Sequence, residues 1–289
     1  MMKITNLRAK IIIIISLAVL LVFYLFPIYW IFASSFKPIE EIMTANPRLF
    51  PAKPTLKHYI DLFNPEAIYG GLERGGKFLL FFVNNSLFVS VFTTLISTLL
   101  ASLGGYALSR FKFRGSEIIS RSMLLIYLMP GALLMIPIYE IIAKLNLLDT
   151  HISLIIVYVA FITPFGIWLL RSFFDAIPIE LEEAALVDGA SKLKAFSNVL
   201  LPLARPGILT VAVYAFVVSW GEYLFASILI FSDFKKTIAP GLAMYMGYQY
   251  IEWGSLLAGS AIVMLPVIIL FIPLAKYFLR ELMTGAIKF

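Results

Sequence analysis

Three places in the sequence hold polar groups whose type and spacing could do chemistry. Glu222, in Ser219-Trp220-Gly221-Glu222-Tyr223, is an acid inside an otherwise apolar stretch. An ionised carboxylate deep in a membrane costs about 2.5–3.5 kcal/mol on insertion scales, so it must face protein or water. Trp220, Glu222 and Tyr223 are therefore candidates for a pathway or gate; the alternative is an acid packed and paired across a subunit interface. Residues 71–78 read Gly-Leu-Glu-Arg-Gly-Gly-Lys-Phe, which has the spacing of a phosphate loop. Phe78, however, stands where a magnesium-binding Ser/Thr is required, and no strand precedes it, so it is not read as a nucleotide site. The third place is the acid-rich run 179–188, followed by an apolar helical pattern. No His-Glu-x-x-His, no metal-spaced Cys/His cluster and no nucleophile elbow occurs. A membrane enzyme thus lacks a convergent acid, base or metal set, and any energy source must come from a partner.

The elements that position these residues are membrane helices. The 289-residue chain is 61% hydrophobic and 14% charged, with a mean hydropathy of +0.94, well above soluble domains. With no cysteine there is no disulfide framework or thiolate site to read. The net charge of +6 is read as attraction to an anionic leaflet rather than to nucleic acid. A span needs about 20 mostly apolar residues, and charge-poor runs place six: 11–34, 80–109, 122–143, 152–171, 206–231 and 254–276. The expected fold is all-α, one integral membrane domain over 1–289. The first run is too long for the apolar part of a signal peptide and is read as a retained anchor. Arg110, Lys112, Arg114 and Arg121 against the lone Lys144 put both termini in the cytoplasm.

Two connections are more than turns. Residues 35–78 are rich in Pro, Asn and Gly and read as an irregular extracytoplasmic cap. On the second span Ser86, Ser90, Thr94, Thr98 and Ser102 lie beside Thr93, Ser97, Ala101, Gly105 and Ser109 in two adjacent rows. Such rows pack membrane helices together; the other reading is a polar wall of a pathway.

The patterned segment 177–202 carries most information. After Ile177-Pro178, strong helix formers with acids near the N-terminus predict a short helix ending at Gly189. Ser191 can cap a second helix whose Leu193, Phe196, Val199 and Leu200 share one face, before Leu201-Pro202 stops it. This elbow with an apolar ridge either lies along the membrane interface or inserts into a groove on a cytoplasmic partner, with Phe196 as anchor.

Glu183-Ala184-Ala185, Asp188-Gly189-Ala190-Ser191, Phe196, and Leu201-Pro202-Leu203 through Pro206 resemble the "EAA" loop of binding-protein-dependent ABC importer permeases. More loosely, the whole chain resembles the shorter permease of maltose-type carbohydrate importers, through its six spans, its long first external loop, Trp220-Gly221-Glu222-Tyr223 and the ending Thr284-Gly285-Ala286-Ile287-Lys288. Gly221 and Phe289 depart from that pattern.

The resemblance implies an elbow docked on an ATPase. Glu183, Ala184, Ala185, Asp188, Gly189, Leu193, Phe196, Leu201 and Pro202 are then its coupling residues. Glu183 would make a charge-assisted contact, Gly189 the bend, and Leu193 and Phe196 would fill the groove. It further implies a second permease subunit, two copies of a cytoplasmic ATPase that binds the ATP and Mg, an extracytoplasmic solute-binding protein, and residence in the cell (inner) membrane. The cargo expected is a sugar, oligosaccharide or polyol. Alternatives are an importer of glycerol phosphate, amino acids or peptides, or an ATPase-independent secondary transporter, which would show inverted repeats.

Overall fold

The computed structural model describes the backbone of residues 7–64, 68–69, 72–73, 78–111, 113–247 and 251–286. Helices α1 (Leu7–Ser35), α2 (Ile39–Ile42) and α3 (Lys57–Phe63) are followed by a minimal antiparallel pair, β1 (Ile68–Tyr69) and β2 (Leu72–Glu73). A π-helical turn, Phe78–Val83, leads into α4 (Asn84–Arg110), then α5 (Ser116–Tyr127), α6 (Met135–Lys144), α7 (His151–Asp175), α8 (Ile179–Val187) and α9 (Lys192–Ala195). After a second π turn, Phe196–Leu200, come α10 (Leu201–Leu203), α11 (Arg205–Trp220), α12 (Leu224–Leu229), α13 (Ile238–Ala243) and α14 (Trp253–Ala286). The segment read and set aside as a phosphate loop lies largely outside the described residues, as do Lys112, Ile287, Lys288 and Phe289.

The helices gather into two compact units: Met1–Phe78 with Leu242–Leu265, and Leu79–Gly241 with Pro266–Phe289. In the first, the residues after α1 are tied down rather than loose. Lys37, 1% exposed, donates from Nζ to the Arg48 carbonyl at 2.8 Å and to Ser34 Oγ at 3.3 Å, with the ammonium 4.1 Å above the Trp30 ring. The Ser35 and Tyr59 hydroxyls meet at 2.7 Å, and Thr55 N–H donates to the Phe36 carbonyl at 2.8 Å.

The second unit is built on α4, α7 and α11. The two small-residue rows of α4 are buried or half-buried throughout, which is the packing reading of that stripe. Glycines set the spacing. A Cβ on Gly105 would lie 2.9 Å from Leu170 Cβ and 3.0 Å from the Arg171 amide nitrogen, and one on Gly166 would lie 2.8 Å from Ala101 Cβ. Backbones approach this closely because lipid provides no hydrophobic drive between helices and van der Waals contact must substitute.

Four helices among the described residues are long and apolar enough to cross a membrane, and up to six do so if each bent pair counts as one span. The third expected span, 122–143, is not one straight helix: α5 ends at Tyr127, Pro130 precedes a 3-10 turn at Gly131–Leu134, and the two halves meet at 93°. Proline lacks the N–H that the ladder needs, so the helix stops before it. The fifth, 206–231, likewise ends at Trp220 and resumes only at Leu224. The sixth helix runs to Ala286, well past 276.

At the end of the bundle marked by the α6–α7 connection, Asp149 clasps the segment after α12. It sits at φ 57°, accepts from Phe231 N–H and Ser232 N–H through Oδ1 at 2.9 and 3.0 Å, and accepts through Oδ2 from Ser232 Oγ at 2.6 Å and Lys235 Nζ at 3.0 Å. Burial disfavours its charge, but these donors outweigh that and hold the carboxyl well below the usual carboxylate range. A depressed folded pKa means the clasp stabilises fully above the unfolded value of about 3.9 and is lost as pH falls through the folded one. Asp149→Asn, which tolerates the same backbone, is therefore expected to lower the melting temperature in detergent by several degrees at pH 7. The gap from wild type should begin to narrow below about pH 4 and close only as pH falls through the lower folded value. An unchanged melt at neutral pH would show that the clasp contributes nothing.

Candidate functional site: the elbow between two membrane helices

The elbow forms as the local sequence dictates. Pro178 directly precedes α8, and Glu180 and Glu182 occupy its first turn, favourable toward the positive end of the helix dipole. Gly189 ends it at φ 87°. Its N–H donates to the Leu186 carbonyl at 3.1 Å, and Ala190 N–H donates to the Ala185 carbonyl at 3.0 Å, the paired bonds of a Schellman stop that needs a left-handed residue. Ser191 Oγ then accepts from Lys194 N–H at 3.3 Å and caps α9.

The two limbs sort their residues by face. Glu183, Ala184, Asp188 and Gly189 are exposed and Ala185 half-buried. Val187 is 87% and Leu193 71% exposed, so an apolar tip flanks the bend. Leu201 and Pro202 are half-buried in α10.

Phe196 corrects the sequence reading. It is not an outward anchor: it is 6% exposed, with its ring 4.7 Å from Tyr106 of α4 and 6.1 Å from Phe174 of α7. The predicted ridge therefore splits, because Phe196 and Leu200 turn toward the chain's own core, which also holds Leu170 and Val211, while Leu193 alone points away.

The buried, paired acid of the elbow that sequence reasoning missed is Glu182. Its Oε1 accepts from Tyr106 Oη at 2.7 Å and its Oε2 from Arg110 Nε at 2.9 Å. Arg110 and Glu182 side chains are each 9% exposed, and Arg110 Nη2 also donates to the Ile177 carbonyl at 2.9 Å. Nothing in the string Glu182-Glu183 marks the first as buried and the second as free. Only the helix phase against α4 does.

The other candidates lie at the α11–α12 break. Glu222 is occupied: Tyr158 Oη of α7 donates to Oε2 at 2.7 Å, and Phe225 and Ala226 N–H donate to Oε1 and Oε2 at 3.0 Å each. Its partners are thus within its own chain, where it satisfies the orphan amides at the start of α12. Trp220 is 3% exposed and stacks on Phe216 at 5.5 Å, so it faces packing. Tyr223, 51% exposed, is the one candidate of the three presented outward.

Long apolar helices, glycine-packed at the centre and carrying a structured elbow between two of them, define a multi-pass integral membrane protein. The sequence profile described as "Binding-protein-dependent transport system inner membrane component" matches residues 94–283, and the chain belongs to this family. It is similar to the inner membrane ABC transporter permease protein YcjP of Escherichia coli K12, 38% identical over 94% of each chain. The diacetylchitobiose uptake system permease protein DasC of Streptomyces coelicolor is 31% identical over 95% of each. The trehalose/maltose transport system permease protein MalG of Thermococcus litoralis is 29% identical over 96% of this chain and 97% of its own. Among solved structures, a chain of a bacterial ABC transporter that imports the acidic polysaccharide alginate shares the fold, with a TM-score of 0.77 and 23% identity over 96% of this chain and 99% of that one. The protein is accordingly a membrane permease subunit of an ABC importer, a transport component rather than an enzyme.

Proposed function

We propose that this permease forms half of the translocation pathway for a sugar, oligosaccharide or polyol, with a second permease supplying the other half. The relatives named for diacetylchitobiose and for trehalose and maltose, matched over nearly their whole length, support the carbohydrate class. In this reading the chain crosses the inner membrane six times with both termini cytoplasmic. The elbow docks on one of two copies of a cytoplasmic ATPase, which bind the ATP and Mg, and an extracytoplasmic binding protein delivers the solute.

The observation that carries the docking is the sorting of the elbow's faces. Glu183, Gly189, Val187 and Leu193 point outward and are left exposed among the described residues, whereas Glu182, Phe196 and Leu200 hold the elbow's back to the bundle. An apolar tip beside an exposed carboxylate, on a rigid support, suits a helix-in-groove contact with Glu183 on a partner's basic group. Moving a two-state pathway from 1:99 to 99:1 takes about 5.5 kcal/mol of differential binding, so a firmly seated elbow is required.

A photo-crosslinker at Leu193 tests this. In intact membranes it is expected to capture an ATP-hydrolysing polypeptide, and a crosslinker at buried Phe196 to capture only this chain. Capture of lipid alone at Leu193 would refute the docking.

A further inference from the structure

Both limbs of the elbow converge on one side chain of α4, and we propose that Tyr106, with Glu182 and Arg110, is the positioning group that makes the elbow and α4 move as one body. The inference rests on the docking reading above and goes beyond it, since none of the three residues lies on the outward face.

The geometry is that of a junction. The Tyr106 hydroxyl holds α8 through Glu182 at 2.7 Å, while its ring holds the second limb through Phe196 at 4.7 Å. Phe174, at the end of α7, closes on the same ring edge-on at 6.1 Å. Arg110, one turn further along α4, takes the other oxygen of Glu182 and the Ile177 carbonyl just before α8. A buried carboxylate with a guanidinium and a hydroxyl at hydrogen-bond distance is satisfied in this one arrangement, and parting it strands a charge away from water. The apolar ring contacts alone would allow sliding; the charged contacts make the joint directional.

Beyond the joint the path continues as rigid packing. The backbones of α4 and α7 touch at Gly105, one residue before Tyr106, so a displacement of the elbow reaches the bundle with no soft element between. A close-packed interior transmits such a shift rather than absorbing it.

The test uses the assembled importer: this chain, its second permease and its ATPase pair. Spin labels at exposed Asn198 on the elbow and at Leu99 on α4, 61% exposed, report their separation without any need to know the cargo. In otherwise native protein the distance distribution is expected to be the same without nucleotide and with ATP plus vanadate. In the double variant Arg110→Met with Glu182→Met, which leaves no unpaired buried charge, it is expected to change between those states while the ATPase still co-purifies. Tyr106→Phe removes only the hydroxyl and is expected to act in the same direction more weakly. As a second readout, the nucleotide-dependent change in labelling rate of a cysteine at Tyr223 should fall about tenfold in the double variant.

A separation that changes in the parent protein, or a double variant that behaves as the parent does, would overturn the inference while leaving docking intact. A parent protein that retains no ATPase would overturn the docking reading and this inference with it. A merely structural role would lower the yield of assembled complex without altering either nucleotide response of the complex that remains.

Discussion

Gly189→Val is expected to cut ATP-coupled solute uptake about tenfold or more, with the protein still inserted in the membrane at normal levels. The expected loss comes from the backbone and not from crowding. A Cβ at this position meets nothing within 4 Å, but the residue sits at φ 87°, which costs an L residue about 1–2 kcal/mol and a β-branched one more. The chain escapes that strain by abandoning the Schellman stop, which swings α9 and the exposed Leu193 away from their present direction. Since about 1.4 kcal/mol is a factor of ten in an equilibrium, a misdirected elbow loses most of its seating. Asparagine tolerates the left-handed region, so Gly189→Asn should retain most of the uptake. Uptake by cells expressing each variant, read beside the amount of ATPase that co-purifies, checks the series. Equal uptake by the Val and Asn variants would show that the bend is not what the elbow needs.

Gly105→Leu is expected to cause the largest loss of stability, about 3 kcal/mol or more, as overpacking against an immovable wall does. The wall is main chain: beyond Leu170 Cβ, the new Cβ would lie 3.0 Å from the Arg171 nitrogen and 3.1 Å from the Leu170 carbonyl carbon. No rotamer change relieves a clash with backbone, so α4 and α7 must separate over several turns. A drop of roughly 10 °C in the detergent melting temperature is the expected readout. Gly221→Ala is the control. Its nearest neighbour is the Val217 carbonyl oxygen at 3.8 Å and its φ is −99°, so the melt should barely move. A Gly105→Leu protein as stable as the control would sink the close-approach account.

Much of this was legible in the residues. Apolar runs placed α1, α4, α7 and the start of α14 to within a few residues, because about 20 apolar positions in a row have few other uses. Gly189 and Ser191 marked the elbow's bend and cap correctly, since both act through the backbone of their own neighbours. The two breaks were less visible. Prolines and glycines were plain in the sequence, yet whether Pro130 merely kinks a span or turns it by 93° depends on what packs on either side. Glu222 was recognised as costly, but its solution, a hydroxyl on α7 and two amides of α12, required knowing that α11 stops before it.

Hydropathy and local backbone preference, which act over a few residues at a time, determined from sequence alone that this chain lies in a membrane, where its long helices run and that a bent helical pair interrupts them. Tertiary structure alone decided which side of that pair faces home. Glu182 and Glu183 are the same side chain one position apart, about 100° around a helix, and Phe196 and Leu193 are both apolar. Their fates diverge because Tyr106 and Arg110 of α4 meet one face while the other stays exposed among the described residues, a pairing between residues more than 70 positions apart that no local pattern encodes.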